Sequence, residues 1–184
     1  RLGSSKSLYA DTGGEMDGAS VRAAAAGEAT AVADVLDDWA EDATGEPATL
    51  YDDIASDAES HVDAADTEPT DRVFPEYDHL AAAETPPERL GGLLAALLLA
   101  ETRASQMVGF FVGDADPTTA STFRDVRSDY ESNREQVGDV LETVCESDAD
   151  WNAARETADG VLETAYDDYV ETLESMGVKP KNVC

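Results

Sequence analysis

Between Pro86-Pro87-Glu88 and Gly113 lies a segment that is apolar on nearly every side from Leu90 to Ala100. A helix of that composition has no polar face to give to water, so it belongs at the centre of whatever the chain builds. Elsewhere the apolar residues return three, four or seven positions apart. Val21, Ala25, Val32, Leu36 and Trp39 form one such stripe, and Leu50 and Ile54 begin another that reaches His61. No segment alternates polar and apolar residues as a half-buried strand does. The pattern predicts an all-α fold.

Punctuation divides the chain. Arg1 to Ala10 reads as the end of a helix, stopped by Asp11-Thr12-Gly13-Gly14. Asp17 or Ser20 opens a long helix to about Ala43. Thr44-Gly45 closes it, and Pro47 suits the first turn of the next, about 47–66. Thr67 to Thr85 reads as one long irregular connection, suited to a crossover between two halves of a bundle. Further helices are expected over about 87–113 and 118–146, then over 149–176 behind a Ser147-Asp148 cap. The expected organisation is one domain over 1–184. It comprises a first helical hairpin (17–66), a crossover (67–86), a second hairpin (87–146) and a C-terminal helix (149–176).

With 12 basic and 41 acidic residues, the net charge is 12 − 41 = −29, and only Lys6, Lys179 and Lys181 are lysines. Self-repulsion at this density is tolerable where salt screens it, the Debye length being about 3 Å at 1 M. A salty cytoplasm is the expected setting, with hydrated inorganic cations on the acidic surface. The run Leu90 to Ala100 is about half of a membrane span, so no membrane role is expected. Nucleic-acid binding through phosphates weakens steeply with salt and needs basic patches, whereas the nine arginines here are scattered among acids. No direct nucleic-acid partner is expected.

Carboxylates and one histidine outline a metal site. Ferritin-like di-iron bundles place one Glu on each of two helices and a Glu-x-x-His on each of the other two. Carboxylates bridge two hard ions, and the i, i+3 spacing puts Glu and His on one helical face. This chain offers Glu28 and Glu101. Thirty residues after Glu28 stands Ala58-Glu59-Ser60-His61, and thirty after Glu101 stands Glu131-Ser132-Asn133-Arg134. The equal offsets suggest two related hairpins. Glu28, His61, Glu101 and Glu131 are therefore the candidate metal residues of a degenerate, empty site, with Ala58 and Arg134 at the two lost positions. No cofactor is expected; iron or manganese would occupy a functional version. Arg134 in place of a ligand would neutralise Glu28, Glu101 and Glu131 by charge-assisted hydrogen bonds. Glu28 and Glu101 have a plainer reading as polar-face residues, and His61 as an ordinary helix histidine.

Other chemistry lacks its residues. There is no glycine-rich phosphate loop, nucleophile elbow or zinc-finger spacing. Cys145 reads as a small apolar helix residue, and Cys184 is the terminal residue. His79 is expected at a helix start, and Asp167 and Asp168 are expected in water.

Arg1-Leu2-Gly3-Ser4-Ser5-Lys6, Val108-Gly109-Phe110-Phe111-Val112-Gly113-Asp114-Ala115-Asp116-Pro117 and Met176-Gly177-Val178-Lys179-Pro180-Lys181-Asn182-Val183-Cys184 carry a resemblance. They are similar to a small family of proteins from halophilic archaea, and the similarity spans most of the chain. Members are labelled rubrerythrin-like or transcription antitermination proteins. The first label implies a ferritin-like antiparallel four-helix bundle, here with additional helices. The second implies contact with RNA or RNA polymerase. The expected function is a non-enzymatic structural or regulatory module that binds another protein, or a second copy, through the apolar helix 90–112. A metal-dependent, rubrerythrin-like oxidoreductase and an antitermination factor acting through protein contacts are the alternatives.

Overall fold

The computed structural model describes residues 2–180, so Arg1 and Cys184 lie outside the described residues. Seven helices are described and no strand, as the periodicity predicts: α1 (Ser5–Asp11), α2 (Gly18–Asp42), α3 (Glu46–Ala65), α4 (Pro75–Ala81), α5 (Pro86–Gly113), α6 (Pro117–Val144) and α7 (Asp148–Ser175).

The boundaries follow local chemistry. Asp17 caps α2, its carboxylate accepting from the Ala19 and Ser20 amides. Thr85 with Glu88 and Ser147 with Asp150 close reciprocal capping boxes on α5 and α7. Gly45 takes φ 72° ahead of α3, a left-handed turn that lets three residues reverse the chain.

Two expectations need correction. The helix α1 starts at Ser5 with Ser4 at its N-cap position, so residues 2–4 are not helical. The 67–85 connection is also not wholly irregular. Pro75 opens α4 in its middle, with Glu76 and Asp78 in the first turn. Seven residues are too few to show a periodic stripe, yet Glu76, Tyr77 and Leu80 are buried through it.

Consecutive long helices fold back on each other, α2 with α3 and α5 with α6. The ring closes where α3 meets α6 and α2 meets α5. The helix α7 lies along the other side of α5, and α4 packs on α7. Gly91 makes that approach possible, because a Cβ there would overlap the Ala154 backbone of α7. The apolar run is indeed the centre: Leu90, Leu93, Leu97 and Ala100 are buried, and only Leu98 and Val112 of this helix are large apolar residues in the open.

Candidate functional site

The chemistry of the interior centres on a residue the template passes over. Arg103 is buried on α5 and reaches carboxylates from three other elements. Its Nη1 lies 2.6 Å from Glu28 Oε1 on α2, and its Nη2 lies 2.7 Å from Glu76 Oε1 on α4. Its Nε lies 3.4 Å from Asp11 Oδ2 at the end of α1. The Tyr77 hydroxyl donates to Glu28 Oε1 at 3.1 Å, and the guanidinium sits 5.2 Å from the Phe74 ring centroid. All four ionic side chains have 5% exposure or less.

Three carboxylates around one guanidinium leave negative charge in excess. Burial pushes the Asp11 carboxyl up to about 6, against the pull of Arg103. Burial likewise raises Glu28, with Arg103 opposing. Burial works against the charge of Arg103, but Glu28, Asp11 and Glu76 outweigh it and hold the guanidinium protonated well above its ordinary range. A second arginine stands nearby. Arg72 pairs with Asp168 of α7, so that aspartate is half-buried and engaged rather than free in water.

The four sequence candidates divide into two pairs. Glu28 and His61 line one internal void of about 10 Å³ between α2, α3, α5 and α6, together with Ala100, Ala104, Met107 and Tyr130. That volume is about the size of one water molecule. His61 is buried, its Nε2 lies 3.2 Å from Asp129 Oδ2, and its ring meets Tyr130 edge-on at 4.7 Å. Burial lowers its pKa, with Asp129 pulling the other way.

Glu101 and Glu131 lie away from that void. Glu101 Oε2 accepts from Arg134 Nε at 3.0 Å on the partly open α5–α6 surface, and Glu131 is exposed. The cause is register. On α5 the inward positions are Ala100, Arg103, Ala104 and Met107, and on α6 they are Phe123, Val126, Tyr130, Asn133 and Val137. Glu101 and Glu131 each stand one residue past an inward position, about 100° around the helix. Arg134 thus neutralises Glu101, as expected, whereas Glu28 is neutralised by Arg103.

The donor set does not fit a dinuclear centre. Among the described residues, no three His, Cys, Asp or Glu side chains converge as metal ligands. Glu28 Oε1 is already engaged by Arg103 and by the Tyr77 hydroxyl. His79, expected at a helix start, sits instead in the last turn of α4 with its ring against Gly160 of α7. Cys145 is a buried thiol at the cap of α6.

Sequence reasoning missed Arg103, Glu76 and Asp11. Arg103 had a readable signal: it is the only basic residue between Leu90 and Gly113, and it falls on the apolar stripe with Leu93, Ala96 and Ala100. No family model, curated protein or solved structure matches the chain.

Proposed function

We propose that the chain is a ferritin-like bundle whose dinuclear site has given way to an internal ion-pair cluster, and that it acts as a non-enzymatic structural or regulatory module binding another protein. The observation that carries this reading is the guanidinium of Arg103 on Glu28, one of the four candidate metal residues. A fixed cation there does the electrostatic work of a metal ion without open coordination positions. The closed ring of α2, α3, α6 and α5 supports the bundle part of the proposal. The resemblance to the halophilic archaeal proteins labelled rubrerythrin-like agrees with it, as does the acidic surface, which suits a salty cytoplasm. By length and composition α5 could cross a membrane, but half of its most apolar stretch is buried in the bundle.

One observation favours a second reading. Glu28 and His61 share a void, so a single-metal oxidoreductase retaining iron or manganese is the enzyme alternative. Antitermination through protein contacts is a special case of the first reading. The test is elemental mass spectrometry on protein purified in high KCl without chelator. Fewer than about 0.1 metal ions per chain is expected if Arg103 has the metal's place. One or two irons or manganese ions per chain would overturn the proposal and bring the oxidoreductase forward.

A further inference from the structure

Outside the ion-pair cluster, a groove of about 370 Å³ lies between α2 and α4. Gly27, Ala31 and Val35 of α2 form one side of its floor, and Phe74, Tyr77 and Ala81 form the other. Gly27 lets the connection come close to α2 at one end, since a Cβ there would meet Thr70 Cγ2 at 2.7 Å. The α2 residues that line it run from Gly27 to Asp38, about 16 Å of helix at 1.5 Å per residue. Val73 projects beside it at 66% exposure, the most exposed large apolar side chain among the described residues.

The rim is charged with one sign. Asp34 and Asp38, one turn apart, edge the α2 wall, and Asp78 edges the α4 wall. Among the described residues that line the groove, the one basic side chain, Arg72, is paired with Asp168. This distribution selects the occupant. A second copy of a chain of net charge −29 would set carboxylates against carboxylates. An apolar strip flanked by cations meets both floor and rim.

We propose that this groove is the docking site for an amphipathic helix of a partner protein, laid with its apolar stripe on the floor and its lysines or arginines against Asp34, Asp38 and Asp78. The inference rests on the protein-binding reading above and names the chemistry of the partner. Two helices forming a trough for a third is an established mode of peptide recognition, read by anchors at i, i+3, i+4 and i+7. Lysine suits the rim, because its methylene stem lies along apolar surface while its ammonium reaches a carboxylate. The acidic edges give orientation and attraction, and Val73 with the less buried Ala31 and Ala81 gives the apolar area removed from water.

The probe is an end-capped, fluorescein-labelled peptide of about fifteen residues, enough for a three-turn contact with a margin at each end. It carries leucines at i, i+3, i+4 and i+7 spacing with lysines on both flanks. Anisotropy is read against the full chain in 0.15 M KCl, on protein whose helical circular dichroism there matches that in 2 M KCl. Saturable binding is expected, weakened about tenfold by Asp34→Asn with Asp38→Asn, since two exposed ion pairs are lost. A charge-matched control, Asp52→Asn with Asp125→Asn on the exposed faces of α3 and α6, should stay within about twofold of the parent. A peptide with alanine for leucine should also bind about tenfold more weakly.

Failure to bind overturns the groove. So does equal weakening by both double variants, which would mean general attraction to an acidic surface, and so does undiminished binding of the alanine peptide. Metal analysis on the same preparation separates the two proposals. Protein that carries metal yet binds the leucine peptide loses the degenerate-site reading alone, and metal-free protein that ignores the peptide loses the groove alone.

Discussion

Arg103 and Asp11 carry the sharpest expectations at the scale of single residues. Removing one partner from a buried ion pair strands the others, which costs about 3–5 kcal/mol. Arg103→Leu should lose stability of that order in urea denaturation at pH 7.5 and less at pH 5, where the stranded carboxylates take up protons. An equal loss at both values would mean that the carboxylates are not the reason. Asp11 titrates at about 6 in the fold and near 3.8 in the unfolded chain. Folding therefore takes up a proton between those values. The stabilisation is complete below about pH 4 and is lost as pH rises through about 6. Asp11→Asn, which cannot titrate, should gain on the wild type across that window and hold a constant difference above it; parallel stability curves would remove Asp11 as the titrating group. The sequence made Glu28 and His61 legible because both fall on buried stripes at helical spacing. Glu101 and Glu131 were misplaced because a four-residue motif fixes spacing but not azimuth. One residue of register separates an inward side chain from a surface one.

Helix existence was legible at the scale of elements because long amphipathic segments repeat their stripe many times and carry their own caps. The helix α4 was hidden because two turns hold too few apolar residues to define a period. What the sequence could not show was how α5 and α7 meet, since close approach depends on which side of a helix a glycine faces. Gly91→Ala should press a methyl group into the Ala154 backbone, costing about 1–3 kcal/mol as the two helices separate. Gly109→Ala, later on the same helix and with open space around it, should instead stabilise by about 0.5–1 kcal/mol through backbone entropy. Thermal denaturation of the pair is the check: two shifts of the same sign would contradict the packing of α7 on α5.

Charge governs the whole molecule. A chain with 41 acids, most of them at the surface, repels itself, and that repulsion shortens in range from about 10 Å at 0.1 M salt to about 3 Å at 1 M. The melting temperature should rise between 0.1 and 2 M KCl, with most of the gain below 1 M, and a flat or falling curve would remove repulsion as the dominant surface term. Acidity was visible in composition, whereas the inward concentration of four charged side chains was not, since it needs residues 11, 28, 76 and 103 to meet. That meeting bears on how the chain finds its fold. Apolar stripes alone would allow α5 to roll against its neighbours at little cost, because leucine and alanine fit many holes. Arg103 permits only one azimuth, and it is satisfied only when the pieces carrying Asp11, Glu28 and Glu76 have all arrived. A packing in which any of these pieces is misplaced leaves a charge buried and unmet, so the cluster discriminates the native arrangement from near-correct ones.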